Sequence, residues 1–139
     1  MTPVTREEVE LAVRKYWSVT AAKDAARQQD SYTENAFIFS TASKRLEAAR
    51  LLSMRRQREY LASSTKLRVE VGNIEVALLG PDAAVSAYTL QFHAEEMPTV
   101  GTVAKKPEEH LQNARMTQVF QRHHDGTLKI VHEHISVPQ

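Results

Sequence analysis

The sequence predicts an α+β fold, with helices packed on one face of a mostly antiparallel sheet. Three observations predict it. The N-terminal segment carries a capped apolar stripe at helical spacing. After Ser63-Ser64 the chain turns rich in Val, Ile, Leu, Thr and aromatics. Strong turn signals, Gly80-Pro81-Asp82 and Asp125-Gly126, cut that second half into hairpins.

Residues 5 to about 27 read as the first helix. Thr5 and Glu8 form a Thr-x-x-Glu capping box, in which hydroxyl and carboxylate each satisfy an orphan backbone N–H. Val9, Ala12, Val13, Tyr16, Val19 and Thr20 fall on one stripe, with Trp17 at its edge. Lys23-Asp24 reads as a break, where Asp24 caps a short second helix ending near Tyr32. The run Ala36–Thr41 is aromatic and β-branched, and predicts a strand. Residues 43–62 lack Pro and Gly and favour a third helix. Four strands follow at 66–79, 83–93, 112–123 and 127–137, with the polar stretch 94–111 as a long connection. At 139 residues the whole chain, 1–139, is expected to be one domain.

Composition narrows the function. Eighteen basic against seventeen acidic residues leave no strong electrostatic case for nucleic acid or an acidic membrane surface. Without cysteine there is no disulfide frame, thiolate nucleophile or Cys-based metal centre. No apolar run approaches membrane-spanning length and no signal peptide precedes the first helix, so a cytoplasmic protein is expected. Phosphate-cradling glycine loops, dinucleotide fingerprints and nucleophile elbows are absent, and neither a cofactor nor a metal is expected.

What remains is carboxylate, histidine or tyrosine chemistry. On the last strand, strict alternation puts Ile130, His132, His134 and Ser136 on one face, and Val131, Glu133, Ile135 and Val137 on the other. Two imidazoles at i, i+2 can ligate one ion, but a third ligand would have to come from His93 or Glu95, and their spacing is not diagnostic. Pairing of the histidines with backbone or acidic groups is the simpler reading. Glu133 is the odd residue, a carboxylate between Val131 and Ile135. Lining an apolar cavity, it would have its pKa raised by desolvation, which suits a general acid or base. Tyr16, Trp17, Tyr32 and Tyr88 can present hydroxyl or indole donors to a ligand. Arg50, flanked by apolar residues at four-residue spacing, either enters a cavity or extends to its rim.

The segment Arg115-Met116-Thr117-Gln118-Val119-Phe120-Gln121-Arg122, followed by Asp125-Gly126 and Val131-His132-Glu133-His134-Ile135-Ser136, resembles the nuclear transport factor 2-like superfamily. It is most similar to the SnoaL-like branch and to the association domain of calcium/calmodulin-dependent kinase II. Tyr16-Trp17, Lys23-Asp24, Tyr32-Thr33 and Phe37 fit the first helices and strand, while Leu128 stands where a Trp is usual. The resemblance implies a cystatin-like curved sheet wrapped around the helices, a conical cavity, and a dimer packed through the sheet. It places Glu133, Gln118, Phe120, Tyr88 and Leu90 on the cavity face, and His132, His134 and Ser136 on the outer, interface-prone face. A single bulge would swap these faces. The basic pocket of association domains is not reproduced, because Leu90, Gln118 and Ile135 align where those domains carry arginines.

The resulting expectation is a homodimer that binds a small, largely apolar organic molecule, with Tyr16, Trp17, Tyr32, Arg50, Tyr88, Leu90, Gln118 and Phe120 as binding residues. One alternative is an acid–base enzyme of isomerase, dehydratase or cyclase type using Glu133. The other is an oligomerisation module. These residues are compatible with an enzyme and with a binding protein alike.

Overall fold

Helix α1 forms over Arg6–Ala21, starting where Thr5 accepts from the Glu8 N–H and Glu8 reaches back to the Thr5 N–H. Val9, Val13, Tyr16, Trp17, Val19 and Thr20 are the residues it buries. Its end is a complete Schellman closure. Lys23 N–H donates to Thr20 O (3.0 Å) and Asp24 N–H to Val19 O (3.1 Å), with Lys23 in the left-handed region at φ 58°. The first helix is therefore shorter than the expected span of 5 to about 27, because the closure acts at Lys23 as soon as the apolar stripe ends at Thr20. Asp24 then caps α2, Ala25–Asp30, by accepting from the Arg27 N–H.

The computed structural model describes residues 2–40, 45–51, 65–96 and 109–138. Strand β1 covers Tyr32–Phe39, beginning four residues before the expected Ala36 start. The third helix expected at 43–62 lies largely outside the described residues. Of its described part, Glu47–Ala48 form a two-residue strand, β2, against Phe37 and Ile38, and 49–51 are helical.

The expected single strand 66–79 is two strands, β3 (Thr65–Val71) and β4 (Glu75–Leu78). Gly72 separates them and donates its N–H to Thr89 O (2.9 Å). A Cβ there would run into the Thr89 side-chain hydroxyl and lie 3.2 Å from the Thr89 carbonyl oxygen, so the tight approach of Thr89 favours glycine. Strands β5 (Ala83–Glu96) and β6 (Glu109–Arg122) pair from Ala83↔Gln121 to Glu95↔Glu109. Both reach into the stretch 94–111, which the sequence reading treated as a connection. Ladder hydrogen bonds between the two strands outweigh the weak local pattern of that stretch. Strand β7 covers Leu128–Ser136.

The sheet runs β2-β1-β7-β6-β5-β3, with β4 also pairing β5. Every neighbouring pair is antiparallel except β1 and β7, which are parallel. This is the expected α+β architecture, with α1 packed against β3, β4 and β7 on one face. Strict alternation fails at one point. Phe120 pairs with Ile130 and Val119 with His132, so Val131 is an extra residue in β7. The bulge turns Ile130 inward alongside Glu133 and Ile135, and leaves His132 and His134 outward.

Val9, Val13, Ile38, Leu90, Phe120 and Ile130 are all at most 1% exposed, and they form the apolar interior with Tyr16, Trp17, Tyr32 and Met116. Burying each such side chain contributes about 1.5–3 kcal/mol. Among the described residues, no helix is long and apolar enough to cross a membrane.

Candidate functional site

An interior this apolar should exclude polar groups unless they are bonded to one another. Five polar or charged residues are nevertheless buried: Thr20, Gln28, Ser86, Gln118 and Glu133. Ser86 donates to the Gln118 backbone carbonyl (3.5 Å), and the other four, with three tyrosines and the tryptophan, form two hydrogen-bonded relays. Helix α1 supplies Tyr16, Trp17 and Thr20 from its inner stripe, and α2 supplies Gln28. Strands β1, β5, β6 and β7 supply Tyr32, Tyr88, Gln118 and Glu133, all on the helix-covered face.

The first relay ends on Glu133, which is 3% exposed. Tyr32 donates its hydroxyl to Glu133 Oε1. That hydrogen being committed, the Tyr16 hydroxyl, 2.6 Å from Tyr32 Oη and 3.5 Å from Glu133 Oε1, donates rather than accepts along this line. Behind it, Gln28 Nε2 lies 3.5 Å from Tyr16 Oη and donates to Thr20 Oγ1 (3.2 Å), whose own hydroxyl bonds Tyr16 O (2.7 Å). Successive donors thus point toward one carboxylate oxygen, the arrangement that satisfies an ionised carboxyl group out of water.

The second relay runs from Trp17 Nε1 to Tyr88 Oη (2.7 Å), and from the Tyr88 hydroxyl to Gln118 Oε1 (2.5 Å). Burial pushes the Tyr88 phenol well above its ordinary pKa. The Trp17 N–H opposes this, and negative charge on Glu133 adds to it. Tyr88 therefore stays protonated and acts as a donor. Gln118 pairs with Glu133 in the β6–β7 register, so the two relays end on neighbouring side chains. Gln118 Nε2 is buried and makes no hydrogen bond among the described residues.

The structure brings Tyr16, Trp17, Tyr32, Tyr88, Leu90, Gln118, Phe120 and Glu133 onto the same interior face. It does not join Arg50 to them. Arg50 is half-buried, and among the described residues its buried Nε has no partner and no hydrogen bond links it to Glu133. His132, His134 and Ser136 lie on the opposite face. There His132 Nδ1 is 2.8 Å from Phe37 O and its ring packs on Phe37 at 4.6 Å, while His134 packs on Phe39 at 5.4 Å. His93 lies 3.6 Å from Glu70 instead. Among the described residues, no three His, Asp or Glu side chains come together as a metal site.

The sequence reading missed Gln28. A glutamine in a six-residue helix carries no local signal of burial. It also placed Trp17 at the margin of the stripe, whereas the indole is 5% exposed and packs edge-on to Tyr16 and Phe92. Separately, a depression of about 490 Å³ opens between α1, α2 and the β6–β7 turn. It is lined by Lys15, Arg27 and Lys129 together with Asp30 and Asp125, and that mixed charge favours no one sign of ligand.

The SnoaL-like domain family matches residues 9–139, nearly the whole chain and every element that carries the relays. The chain belongs to the SnoaL-like domain family. Solved structures agree on the fold of this SnoaL-like domain. A candidate dehydratase of the nuclear transport factor 2-like family from Streptomyces avermitilis superposes with a TM-score of 0.79 at 17% identity, covering 96% of each chain. A candidate calcium/calmodulin-dependent kinase II association domain from Xanthomonas campestris gives 0.75 at 21% identity, over 97% of this chain and 89% of that one. A protein from Catenulispora acidiphila in complex with S-DNPA gives 0.73 at 12% identity, over 94% and 91%. No curated protein matches the sequence. At these identities the structures establish the fold, and function has to be argued from the site.

Proposed function

We propose that this SnoaL-like domain binds a small, largely apolar organic molecule on the helix-covered face of its sheet, and does so as a homodimer. The observation that carries the reading is the convergence of two polar relays on Glu133 and Gln118 within an otherwise apolar interior. Apolar walls with a few placed polar groups are the composition of small-ligand sites. Tyr16, Trp17, Tyr32 and Tyr88 orient the polar ends, Leu90 and Phe120 contribute apolar wall, and Arg50 is assigned to the rim. The Catenulispora protein, captured with a small molecule, lends the reading a precedent within the fold. A thermal-shift screen of hydrophobic acids, ketones and lactones tests it. Stabilisation by at least one class, reduced in Gln118→Met, is expected. A uniformly flat screen refutes it.

The dimer half of the reading rests on the outer face. One row across the sheet runs Phe37, His132, Val119, Val85, Ala77, and the next runs Phe39, His134, Thr117, Ala87, Glu75. Phe37 and Phe39 are 41% and 37% exposed, large apolar groups beside the two histidines and the small residues Val119, Val85, Ala77, Thr117 and Ala87. His132, His134 and Ser136 are assigned to that interface. Sedimentation of His134→Asp should show a weakened dimer, and an unchanged one removes this face from the interface.

A second reading is favoured by Glu133 itself. A buried carboxylate at the end of an O–H relay can take a proton from a bound substrate and return it, as isomerases, dehydratases and cyclases require. It predicts that Glu133→Gln abolishes turnover of a bound compound while leaving its affinity within a few fold. Equal turnover by the variant refutes it.

A further inference from the structure

We infer that Gln118 selects the ligand, its carboxamide N–H2 donating to the carbonyl oxygen of a neutral compound such as a ketone, lactone or ester. The inference rests on the binding reading above and narrows it to a chemical class.

The direction of the second relay is fixed by its first member. An indole N–H can only donate, so the Tyr88 oxygen accepts from Trp17. Tyr88, held protonated by burial, directs its single hydrogen to Gln118, whose contacting atom must be the carbonyl oxygen. Turned over, the carboxamide would present a second donor to Tyr88 and leave the phenol hydrogen without its acceptor. Orientation of the amide thus follows from the indole at the far end of the relay. Gln118 Nε2 is left with two hydrogens, in a residue that is 0% exposed, and neither has a partner among the described residues. An unmade donor out of water is costly, and the cost disappears when an acceptor arrives.

The surroundings define that acceptor. Gln118 projects from β6 directly across from Glu133 on β7 and beside Ser86 on β5, on one face of the sheet. Leu90, Met116, Phe120 and Ile135 on the same face are buried and apolar. A carboxylate ligand would set a second anion beside Glu133, the terminus of the first relay, and like charges at that separation disfavour it. A hydrocarbon would leave the amide hydrogens unpaired. A carbonyl on an apolar skeleton meets both conditions. Sites built around a buried donor discriminate strongly against analogues that lack its partner.

The test compares 1-tetralone with tetralin, one bicyclic skeleton with and without the carbonyl, by titration calorimetry on wild type and Gln118→Met. The variant should weaken 1-tetralone about tenfold and change tetralin less than about twofold. An unchanged ratio of the two affinities overturns the inference while leaving the binding reading standing. Failure of wild type to bind either compound overturns both. In wild type alone, the side-chain amide resonances of Gln118 should move on adding 1-tetralone and stay in place with tetralin. Equal movement with both compounds, or none, refutes the assignment even if the variant does not fold.

Discussion

Tyr32→Phe removes one oxygen from the interior and leaves the ring in place. Tyr32 is fully buried, and its hydroxyl both receives the Tyr16 hydroxyl at 2.6 Å and donates to Glu133. Without it, the Tyr16 hydroxyl at 3.5 Å is the other tyrosine donor within reach of the same carboxylate oxygen. A hydrogen bond to a charged group contributes about 1.5–3 kcal/mol, so a loss near 2.5 kcal/mol is expected. At about 2.1 cal/mol/K per residue, the unfolding entropy of a chain this size is about 0.29 kcal/mol/K, and Tm should fall by about 9 °C. Urea denaturation should show a lower midpoint with an unchanged slope, because the same surface is exposed on unfolding. In a Glu133→Gln background the bond is neutral to neutral, and the same substitution should cost only about 1 kcal/mol. A cost below about 0.5 kcal/mol in wild type, or an equal cost in both backgrounds, would refute the reading of Glu133 as an ionised acceptor.

Three further outcomes follow from the frame around the site. Lys23→Gly should raise stability by about 0.5–1 kcal/mol in a urea melt, because the Schellman closure asks a residue with a Cβ to adopt φ 58°. Thr5→Ala should cost about 1 kcal/mol, read as a Tm drop near 3 °C, by breaking the capping box at the start of α1. Acid should weaken the fold through two carboxylates. The bidentate contact of Glu8 with Arg122, at 2.9 and 3.0 Å, holds Glu8 below its ordinary pKa. Hydrogen bonds from Thr127 lower Asp125 from 3.8 to about 2. Both folded values are depressed, so the stability they confer is full above the unfolded pKa and is lost as pH falls through the folded one. Chemical denaturation should therefore show stability declining from about pH 4 toward pH 2. Asp125→Ala should flatten the lower end of that decline.

The parts of the fold legible in the sequence were those with local causes. The Thr5–Glu8 box, the stripe of α1, the Asp24 cap and the two turns are written in a few adjacent residues, and the helices and hairpins formed where those signals stand. Residues governed by distant partners were less legible. The split at Gly72 depends on the approach of Thr89, and the early start of β1 depends on pairing of Tyr32 with Ile130, nearly a hundred residues away. The inward turn of Ile130 depends on one extra residue, Val131, that no period-two reading contains. At the site, Glu133 stood out because a carboxylate interrupts an apolar strand face. Gln28, and the free donor of Gln118, carry no such mark, since only the tertiary assembly decides which amide hydrogens find partners.

A ligand bound at the junction of the two relays lies next to the side chains reached from the single tryptophan of the chain. Trp17 gives one indole N–H resonance, from the group that heads the Tyr88–Gln118 relay. When a compound that raises Tm is titrated into the protein, that resonance should shift and saturate at the same concentration as the thermal stabilisation. A compound that stabilises the fold and leaves the Trp17 resonance in place would put the ligand elsewhere, such as the depression between α1 and α2, and would refute binding at the relays.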